Sequence, residues 1–214
     1  MSRGEGTVNE KLIYKVVITG GPCAGKTTAL AYIKDALEEK GYTPIFCTET
    51  ATELISGGVA PWTCITNVDY QFCQLRLQYA KEQIFIEAAN RMPQKKMVII
   101  FDRGFLDNKV YMTDEEFAML LDGMEFSEEK TRNWYDAVFH LETAAKGEED
   151  AYTLSNNGAR IETLEQAREL DDKLIKAWKG HPHHRLIDHE QDFEVKMEHL
   201  TRELHSFIDE KENV

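Results

Sequence analysis

Gly20-Gly21-Pro22-Cys23-Ala24-Gly25-Lys26-Thr27 sets two glycines five positions apart and follows the second with a lysine and a hydroxyl. That spacing suits the binding of a nucleoside triphosphate with Mg²⁺. A loop that wraps phosphates must turn backbone N–H groups inward, in conformations that a side chain would obstruct, and Gly20 and Gly25 occupy the two positions that require this. Lys26 would reach the β- and γ-phosphates, Thr27 would ligate Mg²⁺, and Gly21, Pro22, Cys23, Ala24, Gly25, Lys26, Thr27 and Thr28 would line the nucleotide's phosphates. The alternative is a chance match in a glycine-containing turn. The motif's place between a predicted strand and a predicted helix argues against it.

A second element supports the first. Met97-Val98-Ile99-Ile100-Phe101 is an apolar run that ends on Asp102. A buried strand delivering a carboxylate beside the triphosphate is what a second metal ligand requires, so Asp102 joins Thr27 as a candidate Mg²⁺ ligand. Taken alone, an aspartate after a strand would read as a turn cap.

These residues need elements to hold them. Ile13 to Thr19 is a short β-branched run that stops at two glycines, which predicts a buried parallel strand. A helix follows from about 26 to 40, then a strand over 43–48. Asn67 to Arg91 carries Phe72, Leu75, Tyr79, Ile84, Phe85 and Ala88 near helical period, which predicts a long amphipathic helix. Helices over 114–123 and 127–134 precede a strand at 137–141. The polar, aperiodic stretch from Glu142 to Gly158 sits where a lid would close over a nucleotide, and the lid is placed at about 143–161. A helix over 163–179, a strand over 185–188 and a helix over 193–208 complete the chain. Alternating strands and helices predict an α/β fold: a three-layer, five-stranded parallel sheet flanked by helices, in a single domain over 12–214 behind a loose N-terminus of residues 1–11.

Composition narrows the partners. With 214 residues the chain can bury one substantial core, and 25 basic against 38 acidic residues give a net charge of −13. Such a surface repels nucleic acid and anionic lipid, which leaves a small-molecule acceptor as the expected partner. Cys23, Cys47, Cys64 and Cys73 form no CxxC pair, and neither a signal-peptide core nor a membrane-spanning apolar run is present. A cytoplasmic protein with reduced thiols is expected.

Asp102-Arg103-Gly104, the glycine loop and Glu49-Thr50-Ala51-Thr52-Glu53-Leu54-Ile55-Ser56-Gly57-Gly58 together resemble the P-loop AAA-type ATPase-like family that includes nicotinamide ribonucleoside kinase and a translocation-defect protein. The resemblance runs from about Lys15 to Ile208, taking in Arg160-Ile161-Glu162, Leu170-Asp171 and Ile187-Asp188. It implies a P-loop NTPase of the nucleoside and nucleotide kinase type, with ATP, or alternatively GTP, as ligand. It implies that Arg103 binds phosphoryl oxygens or fixes the acceptor, a task suited to a bidentate guanidinium. A surface ion pair is the other reading of Arg103. Glu49, directly after the second strand at the carboxyl edge of the sheet, resembles the general base that similar kinases place near the acceptor hydroxyl. It would serve equally as the cap of a helix opening at Thr50. Arg160, at the junction of lid and helix, is placed to swing onto the γ-phosphate, its alternative being an exposed first-turn helix residue. Lys146 is the other lid cation.

Other features point nowhere further. His181-Pro182-His183-His184 reads as a polar loop rather than a metal site. Asn108-Lys109-Val110-Tyr111 begins like a guanine-specifying element, but Tyr111 stands where an aspartate is required. Trp62, Trp134 and Trp178 read as core or groove-lining aromatics. Two functions remain in view. One is a kinase acting on a nucleoside-like hydroxyl in a cleft between Glu49, Arg103 and the long helix from Asn67, with a resistance protein using the same chemistry as its variant. The other is a nucleotide-dependent switch whose lid state is read by a partner protein.

Overall fold

A computed structural model describes residues 11–147, 163–189 and 192–213. Among them five strands form one sheet: β1 (Leu12–Thr19), β2 (Thr43–Cys47), β3 (Lys96–Asp102), β4 (Ala137–Leu141) and β5 (His184–Ile187). Their order is β2-β3-β1-β4-β5, and every neighbouring pair is parallel. The helices are α1 (Lys26–Glu39), α2 (Thr50–Ser56), α3 (Asn67–Arg91), α4 (Asp114–Asp122), α5 (Glu128–Arg132), α6 (Leu164–Trp178) and α7 (Phe193–Glu212). The expected α/β sheet with helices on both faces is the observed one.

Strand side chains alternate between faces, so a sheet covered on both sides needs apolar residues at every position. Val16 and Ile18 of β1 join Val98 and Ile100 of β3 on one face, against Ile33 and Leu37 of α1 and Met197, Leu204 and Phe207 of α7. Val17, Ile99 and Phe101 point the other way, onto Leu75 of α3, Phe105 and Trp178.

Register brings the chemistry-bearing residues to one edge. Ile18 lies opposite Asp102, Cys47 opposite Phe101, and Thr19 opposite His140. The chain therefore leaves β1, β2, β3 and β4 at nearly the same level, with the glycine loop in the middle. This is the carboxyl edge where open parallel sheets bind ligands.

The structure revises the sequence reading in three places. A 3-10 segment at Phe105–Tyr111 follows the Asp102 turn where no element was expected, and it packs on α6. Trp62 is 72% exposed, in the loop between α2 and α3, rather than in the core, whereas Trp178 is fully buried. On α3, Ile84 is 63% exposed, and the buried face carries Gln71, Gln74, Gln78 and Glu82 beside Tyr70 and Leu75. That face has helical period but is largely polar. Apolar spacing alone pointed partly the wrong way because polar partners meet part of this face, Gln78 donating to Glu82 and Gln74 to Asn108.

Candidate functional site at the carboxyl edge of the sheet

The loop between β1 and α1 is shaped by backbone constraints. Gly20 adopts φ 141°, and a Cβ there would come within 2.1 Å of the Leu141 carbonyl oxygen, so no other residue fits. α1 opens on Gly25, which offers no side chain to cap it, and its first turn holds no acidic residue. By contrast α3, α4 and α6 each begin with a capping box. The first-turn amides of a helix have no intrahelical acceptor, and the dipole there favours an anion. Lys26 is buried and folds back over the loop, its Nζ donating to the Gly20 oxygen at 3.0 Å and to the Gly21 oxygen at 3.3 Å. The expected phosphate-lining residues do not all present an amide to the loop. Pro22 has none, and the Gly21 N–H donates to the buried carboxylate of Asp171 at 2.8 Å. Of the other expected phosphate-lining residues, Ala24 is buried, Cys23 and Gly25 are half-buried, and Thr27 and Thr28 are exposed in the first turn of α1.

Asp102, at the end of β3, has a buried Oδ1 with no hydrogen-bond partner among the described residues. Burial pushes its carboxyl up, and the nearby Lys26 only partly opposes this. A half-buried carboxylate short of positive charge fits a divalent cation, the function expected of Asp102 with Thr27.

The next residue, Arg103, holds φ 76°, the left-handed region that costs a non-glycine residue roughly 1–3 kcal/mol. What holds it is a set of buried groups. Gln78 Nε2 donates to the Arg103 carbonyl at 3.4 Å, and the Arg103 N–H donates to the Ile18 oxygen at 3.1 Å. Asp107 accepts from the Gly104 N–H at 2.6 Å, from the Thr19 hydroxyl and from Trp178 Nε1 at 3.3 Å. The turn sends the guanidinium across the edge of the sheet, where Nε donates to Glu49 Oε1 at 2.6 Å and a terminal nitrogen lies 3.5 Å from the Gly20 oxygen. Arg103 is thus no surface ion-pair partner but half of a half-buried pair at the loop's mouth.

Glu49 precedes α2 without capping it by its side chain. Its second oxygen accepts from the Thr52 hydroxyl at 2.6 Å. Burial opposes its ionisation, but Arg103 and the Thr52 hydroxyl outweigh burial and hold the carboxyl down at about 2. Behind the pair, Gln74 Nε2 donates to Asn108 Oδ1 at 2.6 Å and Asn108 Nδ2 donates to Gln78 Oε1 at 3.0 Å. This amide row and Asp107 were missed by sequence reasoning, and Asp171 entered only through the resemblance, with no role assigned to it. For the row the signal was present: Gln71, Gln74, Gln78 and Glu82 recur at steps of three and four.

Arg160 and most of the proposed lid lie outside the described residues. Lys146 does not face the loop as a lone cation. Its Nζ sits 2.8 Å from Asp171, 2.7 Å from Asp172 and 3.2 Å from Glu142. The histidine loop is committed to structure, with His181 Nε2 on the Tyr135 carbonyl at 3.0 Å and Nδ1 accepting from the His183 N–H at 3.1 Å.

A model described as the AAA domain matches residues 15–196. Among solved structures the chain is similar to deoxyadenosine kinase from M. mycoides with bound dATP, with a TM-score of 0.58 and 18% sequence identity over 90% of this chain and 99% of that chain. At that identity the likeness establishes the fold. No curated protein matches the sequence. Among the described residues no helix is long and apolar enough to cross a membrane.

Proposed function

The chain belongs to the AAA domain family, and from that premise we propose that it is an ATP-dependent small-molecule kinase that phosphorylates a hydroxyl of a nucleoside-like acceptor. The observation that carries this reading is the Glu49–Arg103 pair, 2.6 Å apart between the glycine loop and the amide-lined face of α3. A carboxylate and a guanidinium are the two groups that transfer to a hydroxyl needs there, one for the proton and one for the phosphoryl charge. Solved deoxyadenosine kinase, which has this fold, bound a deoxynucleotide, and that agrees with a nucleoside-like acceptor. The narrower kinship with nicotinamide ribonucleoside kinase belongs to the same proposal, as do a cytoplasmic setting and a surface unsuited to nucleic acid.

In this reading the glycine-loop amides and Lys26 bind the triphosphate, while Asp102 and Thr27 hold Mg²⁺. When bound, the metal would neutralise phosphate charge. Arg103 leaves Glu49 for the transferring phosphoryl oxygens. Glu49, released from the guanidinium, regains basicity and accepts the proton of the acceptor hydroxyl as its oxygen bonds to phosphorus and ADP departs. The bond to Arg103 therefore keeps Glu49 inactive until a triphosphate competes for the guanidinium.

A second reading has its own support. A carboxyl held at about 2 is a weak base while Arg103 stays in place, which suits a nucleotide-dependent switch that hydrolyses ATP slowly for a partner to read. Labelled ATP, Mg²⁺ and a panel of nucleosides and vitamins separate the two. Acceptor-dependent transfer that Arg103→Ala abolishes, with ATP affinity largely retained, is the kinase outcome. A folded protein that labels no acceptor, yet binds a partner differently in its ATP and ADP states, is a switch.

A further inference from the structure

Asp171 is fully buried on α6 yet reaches the nucleotide loop. Oδ1 accepts the Gly21 N–H at 2.8 Å and lies 2.9 Å from His140 Nε2, while Oδ2 lies 2.8 Å from Lys146 Nζ. A buried carboxylate beside a site for a triphosphate is at first sight misplaced, since like charges repel and burial penalises both. Its partners answer the desolvation, but they leave open why an anion stands there.

The planarity of one peptide supplies the reason. The Gly21 N–H and the Gly20 C=O belong to the same trans unit and point in opposite directions. With the N–H fixed on Asp171, the Gly20 oxygen must face the other way. There it meets Lys26 Nζ at 3.0 Å and the Arg103 guanidinium at 3.5 Å, the two cations that would handle the transferring phosphoryl group. Glycine at 21 fits the same account, because a Cβ would come 2.9 Å from Asp171 Oδ1. Glycine peptides rotate with little steric resistance, so this plane needs an outside anchor.

We propose that Asp171 is a positioning residue for the triphosphate site: through the Gly20–Gly21 peptide it aims one carbonyl at Lys26 and Arg103, with Lys146 and His140 as the neighbours that hold the Asp171 side chain in place. The inference rests on the proposed nucleotide-binding function of the loop. Asp171 touches no phosphate and acts only by holding the peptide. Asparagine, which offers an Oδ1 of the same reach, would keep the anchor, whereas alanine would release it. A charge-assisted hydrogen bond of this kind corresponds to about a tenfold to hundredfold change in an equilibrium.

The test is ATP affinity by titration calorimetry in Mg²⁺, with circular dichroism to verify folding. Asp171→Asn is expected to bind ATP within about threefold of the parent, and Asp171→Ala about tenfold or more weakly. In a Lys26→Ala background the second substitution, Asp171→Ala, should weaken binding no further, a coupling that a purely structural residue would not produce. Amide hydrogen exchange covers the case in which Asp171→Ala does not fold: the Gly21 amide should be protected in the parent and in Asp171→Asn. A freely exchanging Gly21 amide in the parent, an Asp171→Ala protein with parental affinity, or an Asp171→Asn protein as weak as Asp171→Ala would each overturn the inference. A folded parent that binds no nucleotide would instead overturn the proposed function, and this inference with it.

Discussion

Two aspartates flank the same glycine loop and are treated in opposite ways. Asp102 closes β3 with a buried Oδ1 that no hydrogen bond reaches among the described residues, and burial drives its carboxyl upward. Asp171 is buried more completely, yet its carboxyl is pulled down to about 2, because His140, Lys146 and the Gly21 amide outweigh the same penalty. Depth of burial therefore does not set the charge; the number of donors does. Asp171 is answered by the fold, by the Gly21 amide and His140 at Oδ1 and by the Lys146 ion pair at Oδ2, and belongs to the scaffold of the site. Asp102 has fewer donors, and in the proposed function it is the residue that turns to a cation.

The largest expected effect breaks the scaffold half. Asp171→Ala leaves the Gly21 amide without its acceptor in the interior, while Lys146 keeps Asp172 and Glu142, and should lower the unfolding free energy in denaturant titrations by about 3 kcal/mol. Next comes the ligand half. Lys26→Ala should weaken ATP binding about a hundredfold in calorimetry, or about 2.7 kcal/mol, with little change in unfolding, because Lys26 answers backbone carbonyls until phosphates replace them. If Lys26→Ala proved the greater loss to folding, the division between the two halves would be wrong.

Acid titration sharpens the contrast. The folded-state pKa of Asp171 lies below its ordinary 3.8, so its contribution is fully present above about pH 4 and is lost as pH falls through about 2. That contribution is on the order of 2 kcal/mol, and Asp171→Asn should flatten this limb of the stability curve. Asp102 has the opposite sign. Its raised carboxyl favours the fold at low pH, and that advantage fades as pH rises through its shifted value. Asp102→Asn should then leave the ligand-free protein as stable as the parent or about 1 kcal/mol more so at neutral pH, while reducing Mg²⁺-dependent ATP affinity about tenfold. An Asp102→Asn protein that lost stability would remove the case for Asp102 as a cation ligand.

The same two residues mark how far the sequence could be read. The glycine loop, Asp102, Arg103 and Glu49 were legible because each sits at a recognisable local step, directly after an apolar strand, and parallel register brings those steps to one edge. Asp171 was visible only as part of a resemblance. Its contact with Gly21 spans 150 residues and depends on how α6 returns across the sheet, which no local spacing encodes. The left-handed turn at Arg103 was equally hidden, since Asp107 and Gln78 hold it from the following 3-10 segment and from α3. On α3 itself apolar residues drew attention away from the polar row that faces inward. A helix buried against amides and a carboxylate does not show the pattern of one buried against leucines.

The smallest expected effect lies outside both halves, at Trp62. An exposed tryptophan in the loop between α2 and α3 contributes little to the core, so Trp62→Ala should change unfolding free energy by less than about 0.5 kcal/mol. The loop leads from the helix that follows Glu49 into the helix that carries the amide row, and in the proposed function both helices border the acceptor. If Trp62 covers the acceptor, the substitution should raise the KM for that acceptor and leave ATP affinity unchanged. Equal weakening of ATP and acceptor would instead show that the α2–α3 loop and the nucleotide loop move as one body. The division would then run between the sheet edge and the helices above it, not between Asp102 and Asp171.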